Sequence, residues 1–197
     1  MKYRFALAAF LLGIGLTQTQ TAFGQEHVQV GAFANYFRLS DLNHHNFAGL
    51  GGRLSVSASP NAQIEGEMAY DFEQVFIESF ANPSTGSITF QRSPLRILHG
   101  LFGPKFHTGQ GPLRGFVVLK GGFMNFRFDS RPATFGTFFS SVEDLRTSGV
   151  RGVFYPGGGL EGYLGPLGLR FEIGDEIYFQ DGAHHNLRMT FGPTIRF

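Results

Sequence analysis

The end of the chain alternates between oily and polar. From Leu187 to Phe197 the odd positions Leu187, Met189, Phe191, Ile195 and Phe197 are apolar, while Arg188, Thr190, Thr194 and Arg196 fill even ones. A period of two marks a strand with two unlike faces, because successive side chains leave a pleated backbone on opposite sides. The segment before it repeats the pattern, with Leu169, Phe171, Ile173 and Ile177 on one side and Arg170, Glu172 and Glu176 on the other. Extending the reading along the chain predicts eight strands, at 28–38, 48–58, 63–72, 95–106, 114–128, 153–164, 167–179 and 187–197.

The connections decide what kind of sheet these strands form. Long joints at 39–47, 73–94, 129–152 and 180–186 alternate with short ones at 59–62, 107–113 and Gly165-Pro166. Long loops at one end, short turns at the other and an even strand number are the pattern of an outer-membrane barrel. In hydrocarbon an unpaired N–H or C=O costs several kcal/mol, so a spanning sheet must close and leave no edge. The expected fold is therefore all-β: a closed, eight-stranded, antiparallel, transmembrane up-and-down β-barrel.

Closure gives the two faces a meaning. Ile64, Met68, Tyr70 and Phe72 are expected to meet lipid, while Glu65, Glu67 and Asp71 point inward. Arg53, Lys120, Glu161, Arg170, Glu172, Glu176 and Arg188 fall on the same inward side and complete an interior charge network. Eight strands enclose a space about wide enough for side chains alone, so acids and bases pair inside as filling. Aromatic girdles are expected at both ends, from Tyr36, Phe37, Tyr70, Phe72, Phe126, Phe128, Tyr178 and Phe179 at the loop end and Phe106, Phe116, Tyr163 and Phe197 at the turn end.

The first segment adds the compartment. Lys2 and Arg4 precede an apolar stretch from Phe5 to Leu16, and small residues Ala22 and Gly24 stand before Gln25 as in a cleavage site. That stretch is shorter than the ~20 residues a spanning helix needs. Residues 1–24 are thus expected to be a secretion signal and 25–197 the barrel domain. Without Lys2 and Arg4, 14 of the 16 basic residues remain against 15 acidic ones, a formal charge of −1 that offers nothing to nucleic acid. There are no cysteines, so neither disulfides nor thiolate metal sites enter.

Several segments now carry a resemblance. GLGGRLSVSASPNAQIEGEMAYDF (Gly49 to Phe72), the hairpin from Phe102 to Phe123, GGGLEGYLGPLGLRFEIGDEIYF (Gly157 to Phe179) and the closing TFGPTIRF resemble the small OmpA-like outer-membrane β-barrel proteins, over nearly the whole mature chain. The resemblance implies a cleavable signal and a multi-pass barrel in the outer membrane of a Gram-negative-type bacterium. It makes the terminal Phe197 the signal read by the barrel assembly machinery. It implies outer-membrane lipids and lipopolysaccharide as surroundings, a monomer, and no cofactor. The resemblance is to the barrel and ends at Phe197, so the cell-wall anchoring role of the peptidoglycan-binding domain in OmpA is not expected here.

His-His-Asn occurs twice, at His44, His45, Asn46 and at His184, His185, Asn186, among only seven histidines. The first and last strands of a closed barrel are neighbours, so the two elements are expected on one side of the outer rim. Imidazoles suit Zn, Cu or Ni, which makes His44, His45, His184 and His185 metal candidates with Asp41 or Asp181 beside them. Adjacent histidines on an extended chain point to opposite faces, and the plainer expectation is polar rim residues ended by asparagine turns. Enzymes of this architecture, lipid A deacylases and palmitoyltransferases, use a histidine and a serine with an acid at the outer surface; the chain has no His-x-Ser. The sequence therefore points to a non-enzymatic barrel with a structural, adhesive or binding role. A narrow passive pore is the second reading, and a rim-site enzyme or metal binder the third.

Overall fold

A computed structural model describes residues 27–40, 45–81, 88–109, 111–128, 137–139 and 149–197; for 76–81, 88–93, 128 and 137–139 it describes the backbone. The segment 1–24, Asp41, His44 and the charged residues Arg131, Glu143, Asp144 and Arg146 of the third loop lie outside these residues. The strands are β1 (Val28–Leu39), β2 (His45–Ser59), β3 (Ala62–Ala81), β4 (Ile88–His107), β5 (Leu113–Phe128), β6 (Thr137–Phe139), β7 (Val150–Leu164), β8 (Leu167–Asp175), β9 (Ile177–Phe179), β10 (Ala183–His184) and β11 (Leu187–Arg196).

Every pairing is antiparallel, and eight of the strands form the wall in the order β1-β2-β3-β4-β5-β7-β8-β11. The ring shuts where β11 pairs with β1, from Gln29 opposite Arg196 to Arg38 opposite Leu187. His27 N donates to Phe197 O at 2.9 Å and Phe197 N to Val28 O at 2.9 Å, so both ends of the barrel domain lie at one rim. The predicted closed, eight-stranded, up-and-down barrel is the fold of the chain. Its turn at Gly165 needs a residue free to take φ of 62°, which glycine supplies without a Cβ clash.

The two faces separate along each wall strand. Leu50, Leu54, Ile64, Met68, Phe102, Val117, Leu119, Leu160, Leu169, Phe171, Phe191 and Ile195 are exposed on the outside, while Glu65, Glu67 and Asp71 are buried inside. Glycines let bulky rings enter the lumen. A Cβ at Gly159 would stand 2.0 Å from Phe171 O and 2.7 Å from Phe116 Cζ, so only glycine leaves room for that ring between β7 and β8.

Two expectations are corrected. The strand expected to end at 72 and resume at 95 runs on as a hairpin, with pairing from Gln74 opposite Leu95 to Ala81 opposite Ile88. A bulge between Asp71 and Gln74 re-aims the strand there, as an inserted residue bends and twists its ladder. The short β6 of the third loop pairs with the tip, Ser79 opposite Phe139. The aromatic girdles are also smaller than expected. Phe37, Phe126, Tyr178, Phe116 and Tyr163 are buried inside, whereas Tyr36, Tyr70, Phe72, Phe179, Phe106 and Phe197 are exposed. Neighbours such as Tyr36 and Phe37 cannot both face lipid when side chains alternate.

Candidate functional site

The lumen is layered. In its middle, Lys120 on β5 places Nζ 2.7 Å from Glu65 Oε1, 2.8 Å from Glu67 Oε2 and 3.1 Å from Glu172 Oε1. Arg170 on β8 donates to both oxygens of Glu65 at 2.5 and 2.9 Å and also pairs with Glu172. Arg53 on β2 donates to Glu172 Oε2 at 3.1 Å and to Thr190 Oγ1 at 2.8 Å. Arg188 on β11 reaches Glu67 Oε1 at 2.6 Å, Asn35 Oδ1 at 2.8 Å and Glu176 Oε2 at 3.3 Å. Glu161 on β7 pairs with Lys105 and accepts from Tyr163 Oη at 3.0 Å. None of the ten residues expected on the inward side is more than 5% exposed.

The arrangement follows from the cost of burying charge. A carboxylate removed from water is tolerated when cations and hydrogen bonds replace the lost hydration, and removing one partner of such a pair is strongly destabilising. Each acid here meets a base contributed by another strand. The ligand atoms of Glu65, Glu67 and Glu172 lie within 4.8 Å of one another, a spacing that would suit a metal ion. The Lys120 ammonium contacts all three, so the centre of that cluster is already neutralised.

Further members escaped the sequence reading. His99 on β4 faces two carboxylates, Nε2 at 2.9 Å from Asp71 Oδ2 and Nδ1 at 2.7 Å from Glu176 Oε1. Lys105, Gln29 and Arg114 gather around Glu161 toward the termini, where Gln29 Nε2 also donates to Tyr163 Oη and Thr194 Oγ1 at 2.8 Å each. Inward parity with Leu101 and Lys105 along β4 was the signal for His99.

Above the charges, at the end far from the termini, the lumen turns apolar. Phe37, Leu39, Phe47, Leu95, Ile97, Met124, Phe126, Val153 and Tyr178 are buried here, none above 6% exposed, as one end of a cluster that continues beside the charges through Leu101, Val118, Tyr155 and Phe116. His99 marks the boundary, its ring 5.0 Å from Phe37 at an edge-on angle of 66°. Arg151 lies over the rings of Phe126 and Tyr178, at 4.7 and 5.1 Å, so a cation here meets ring faces in a dry setting.

His45, His184 and His185, the described members of the two pairs, do not converge on one point. His45 opens β2 opposite Leu39 and is exposed. His184 stacks on Tyr178 at 4.6 Å, with Nε2 2.8 Å from Gln180 O. His185 is turned to the other side, Nδ1 2.5 Å from Asp175 Oδ2. The first and fourth loops do adjoin, since Ser40 N donates to Asn186 Oδ1 at 3.0 Å and Ser40 Oγ to His185 O at 2.6 Å. Asn186 donates in turn to the carbonyls of Glu176 and His184, both at 3.0 Å, and so works as a loop clasp. Among the described residues, no group of three possible ligand side chains within reach of one ion includes a histidine.

The chain matches no protein-family model. It matches no curated protein sequence. Solved structures share its fold. Neisserial surface protein A superposes with a TM-score of 0.53 at 11% identity, over 86% of this chain and 97% of that one. Ail, the attachment invasion locus protein of Yersinia pestis, in its complex with the heparin analogue sucrose octasulfate, superposes with a TM-score of 0.50 at 15% identity, over 87% and 97%. The chain thus has the fold of the small, OmpA-like outer-membrane β-barrels.

Proposed function

We propose that the protein is an integral outer-membrane barrel whose lumen is closed and whose function resides on its exposed end, in attachment or binding. The observation that carries this reading is the double filling of the lumen. An ion-paired layer around Lys120 and Arg170 is capped by an apolar cluster around Phe37, Phe47 and Tyr178. Water and ions would have to cross both layers.

The same reading takes residues 1–24 as the secretion signal and 25–197 as a monomeric barrel domain. The exposed ring of Phe197 then serves as the recognition point for the assembly machinery. The hairpin of β3 and β4, paired from Gln74 and Leu95 to Ala81 and Ile88 and touched by β6, is the longest projection among the described residues and the first surface to consider for contact with a partner. Ail is an attachment invasion locus protein and was solved with a heparin analogue bound, which makes a sulfated glycan a reasonable first ligand to try. At the rim, the hydroxyl of Ser40 donates to the backbone carbonyl of His185 and not to its ring, so among the described residues no nucleophile is bonded to the Asp175 and His185 pair, which favours a non-enzymatic role.

The test is adherence of cells displaying the protein to glycan-coated and host-cell surfaces, with and without the hairpin tip cut back to a tight turn between Gln74 and Leu95. Adherence lost with the tip supports the reading. Equal adherence, with both barrels folded, contradicts it.

A further inference from the structure

Phe-Gly-Pro occurs twice in the wall, as Phe102-Gly103-Pro104 on β4 and as Phe191-Gly192-Pro193 on β11. Pro104 stands three residues before His107, where β4 ends, and Pro193 three before Arg196, where β11 ends. Proline has no N–H to give a ladder and is confined in sheets to edges, strand starts and bulges. A closed wall has no edge, so each proline removes a rung.

The alternation of bonds shows which rungs are lost. Phe197 N donates to Val28 O at 2.9 Å, whereas Ser57 N donates to His27 O at 2.8 Å. Antiparallel bonding alternates along a strand, so even positions of β1 bond to β11 and odd ones to β2. Pro193 falls opposite Ala32, an even position, and has no N–H for the Ala32 carbonyl. Pairing of β1 with β11 lapses there, between Gly31 opposite Thr194 and Ala34 opposite Phe191. On β4, Thr108 N donates to Gly115 O at 2.9 Å and His107 N to Asn61 O at 3.0 Å, so even positions bond to β5. Pro104 falls opposite Leu119, and pairing lapses between Phe102 opposite Gly121 and Lys105 opposite Val118. The ladders of β1 with β2, β5 with β7 and β8 with β11 run unbroken. A Cβ at Gly103 would stand 2.2 Å from Leu119 O, and one at Gly192 2.0 Å from Ala32 O. The carbonyl opposite each proline thus leans over the glycine before it.

These two seams lie on opposite sides of the ring and divide the wall into halves, β1, β2, β3 and β4 against β5, β7, β8 and β11. Inside the lumen, the residue after each proline reaches across a seam. Thr194 Oγ1 accepts from Gln29 Nε2 at 2.8 Å and donates to Val30 O at 3.3 Å. Lys105 Nζ donates to Gln29 Oε1 at 3.3 Å and pairs with Glu161 on β7. Gln29, Lys105, Glu161 and Thr194 are all buried.

We propose that the two Phe-Gly-Pro elements are hinge seams, at which the turn-side part of the wall opens locally between its halves, and that Gln29, Thr194, Lys105 and Glu161 form the latch that holds them shut. The opening is sideways through the wall, and the apolar cap at the other end stays in place. Water then reaches the Lys105 and Glu161 pair without unfolding of the barrel.

The experiment is hydrogen exchange of backbone amides, followed by NMR on the refolded protein in lipid nanodiscs. On β1 the amides of Val30, Ala32 and Ala34 face a seam, and those of Gly31, Phe33 and Asn35 face β2. Corrected for intrinsic rates, the first set is expected to exchange about tenfold or more faster than the second, as for a locally opening segment. The same contrast is expected on β4 between Phe102 and Phe106, facing β5, and Leu101 and Lys105, facing β3. Pro193→Ala returns an N–H and is expected to slow exchange at its own seam alone, as is Pro104→Ala at the other. Gln29→Ala is expected to speed exchange at both seams and to leave Gly31, Phe33 and Asn35 as they were. Heat-modifiable gel mobility shows that each variant is folded, and Pro193→Ser or Pro104→Ser supplies the same N–H where an alanine variant does not fold. Equal exchange of the two sets in the wild type overturns the proposal, as does a contrast that the proline variants leave unchanged. Unchanged exchange in Gln29→Ala overturns the latch.

Discussion

Lys120 and Glu67 meet across the lumen at 2.8 Å, from β5 and β3, two strands that do not adjoin in the sheet. Their bond ties two strands that flank β4 to each other, and Glu65 and Glu172 share the same ammonium. Lys120→Ala therefore leaves three carboxylates without their common cation, and the expected loss is about 3–5 kcal/mol, as for breaking a buried pair. Combining Lys120→Met with Glu67→Gln is expected to cost less than the sum of the two, since partners in one network couple. Urea titration of the protein in lipid vesicles measures both. With no tryptophan in the chain, tyrosine fluorescence or gel mobility reports unfolding.

The apolar cap is expected to be a packed core. Phe47→Ala removes a fully buried ring from among Phe37, Leu39 and Leu95, at an expected cost of about 3–5 kcal/mol including the cavity left behind. The same titration checks it. A loss under about 1 kcal/mol, well below that for cavities in packed interiors, would mean a loosely filled mouth.

Much of this interior is legible in the sequence, because strict alternation puts Glu65 and Glu67 on one side of a strand and Ile64 and Met68 on the other. The partners are not legible. Whether Arg188 meets Glu67 or Glu172 depends on the stagger and tilt of strands that are distant in sequence, which periodicity does not contain. The girdle residues show the opposite error: Phe37, Phe126 and Tyr178 were assigned by residue type when their parity already placed them inside. The hairpin beyond Phe72 was hidden by its charges and by the bulge after Asp71, which shifts the register between neighbouring strands. The network role of His99 was missed for a related reason. Its two carboxylates come from β3 and from the junction of β8 and β9, and only closure of the barrel brings them together.

Glycines of β7 differ sharply in what they tolerate. Gly159→Val is expected to abolish folding, since a Cβ there meets Phe171 O at 2.0 Å, whereas Gly152→Ala is expected to be silent, with nothing within 4 Å. Gel mobility before and after heating separates the two. A folded Gly159→Val would mean that β7 and β8 are further apart than described.

At the rim, His184 and His185 are engaged by Gln180, Tyr178 and Asp175. Replacing His45, His184 and His185 together by alanine is expected to leave zinc affinity unchanged in a titration of the refolded barrel, and a drop of about tenfold would establish the metal site considered from the sequence. Asp175→Ala is expected to cost less than about 1 kcal/mol, as for exposed ion pairs, while raising protease cleavage between Phe179 and Leu187.

The closed lumen is tested most directly by single-channel recording of the refolded protein in a planar bilayer, with Arg170→Ala beside it. Silence in the wild type is the expected result, because the cap around Phe37 and Phe47 lies in series with the ion-paired layer. Stable openings in the wild type, altered in size by Arg170→Ala, would contradict it and make the barrel a narrow pore.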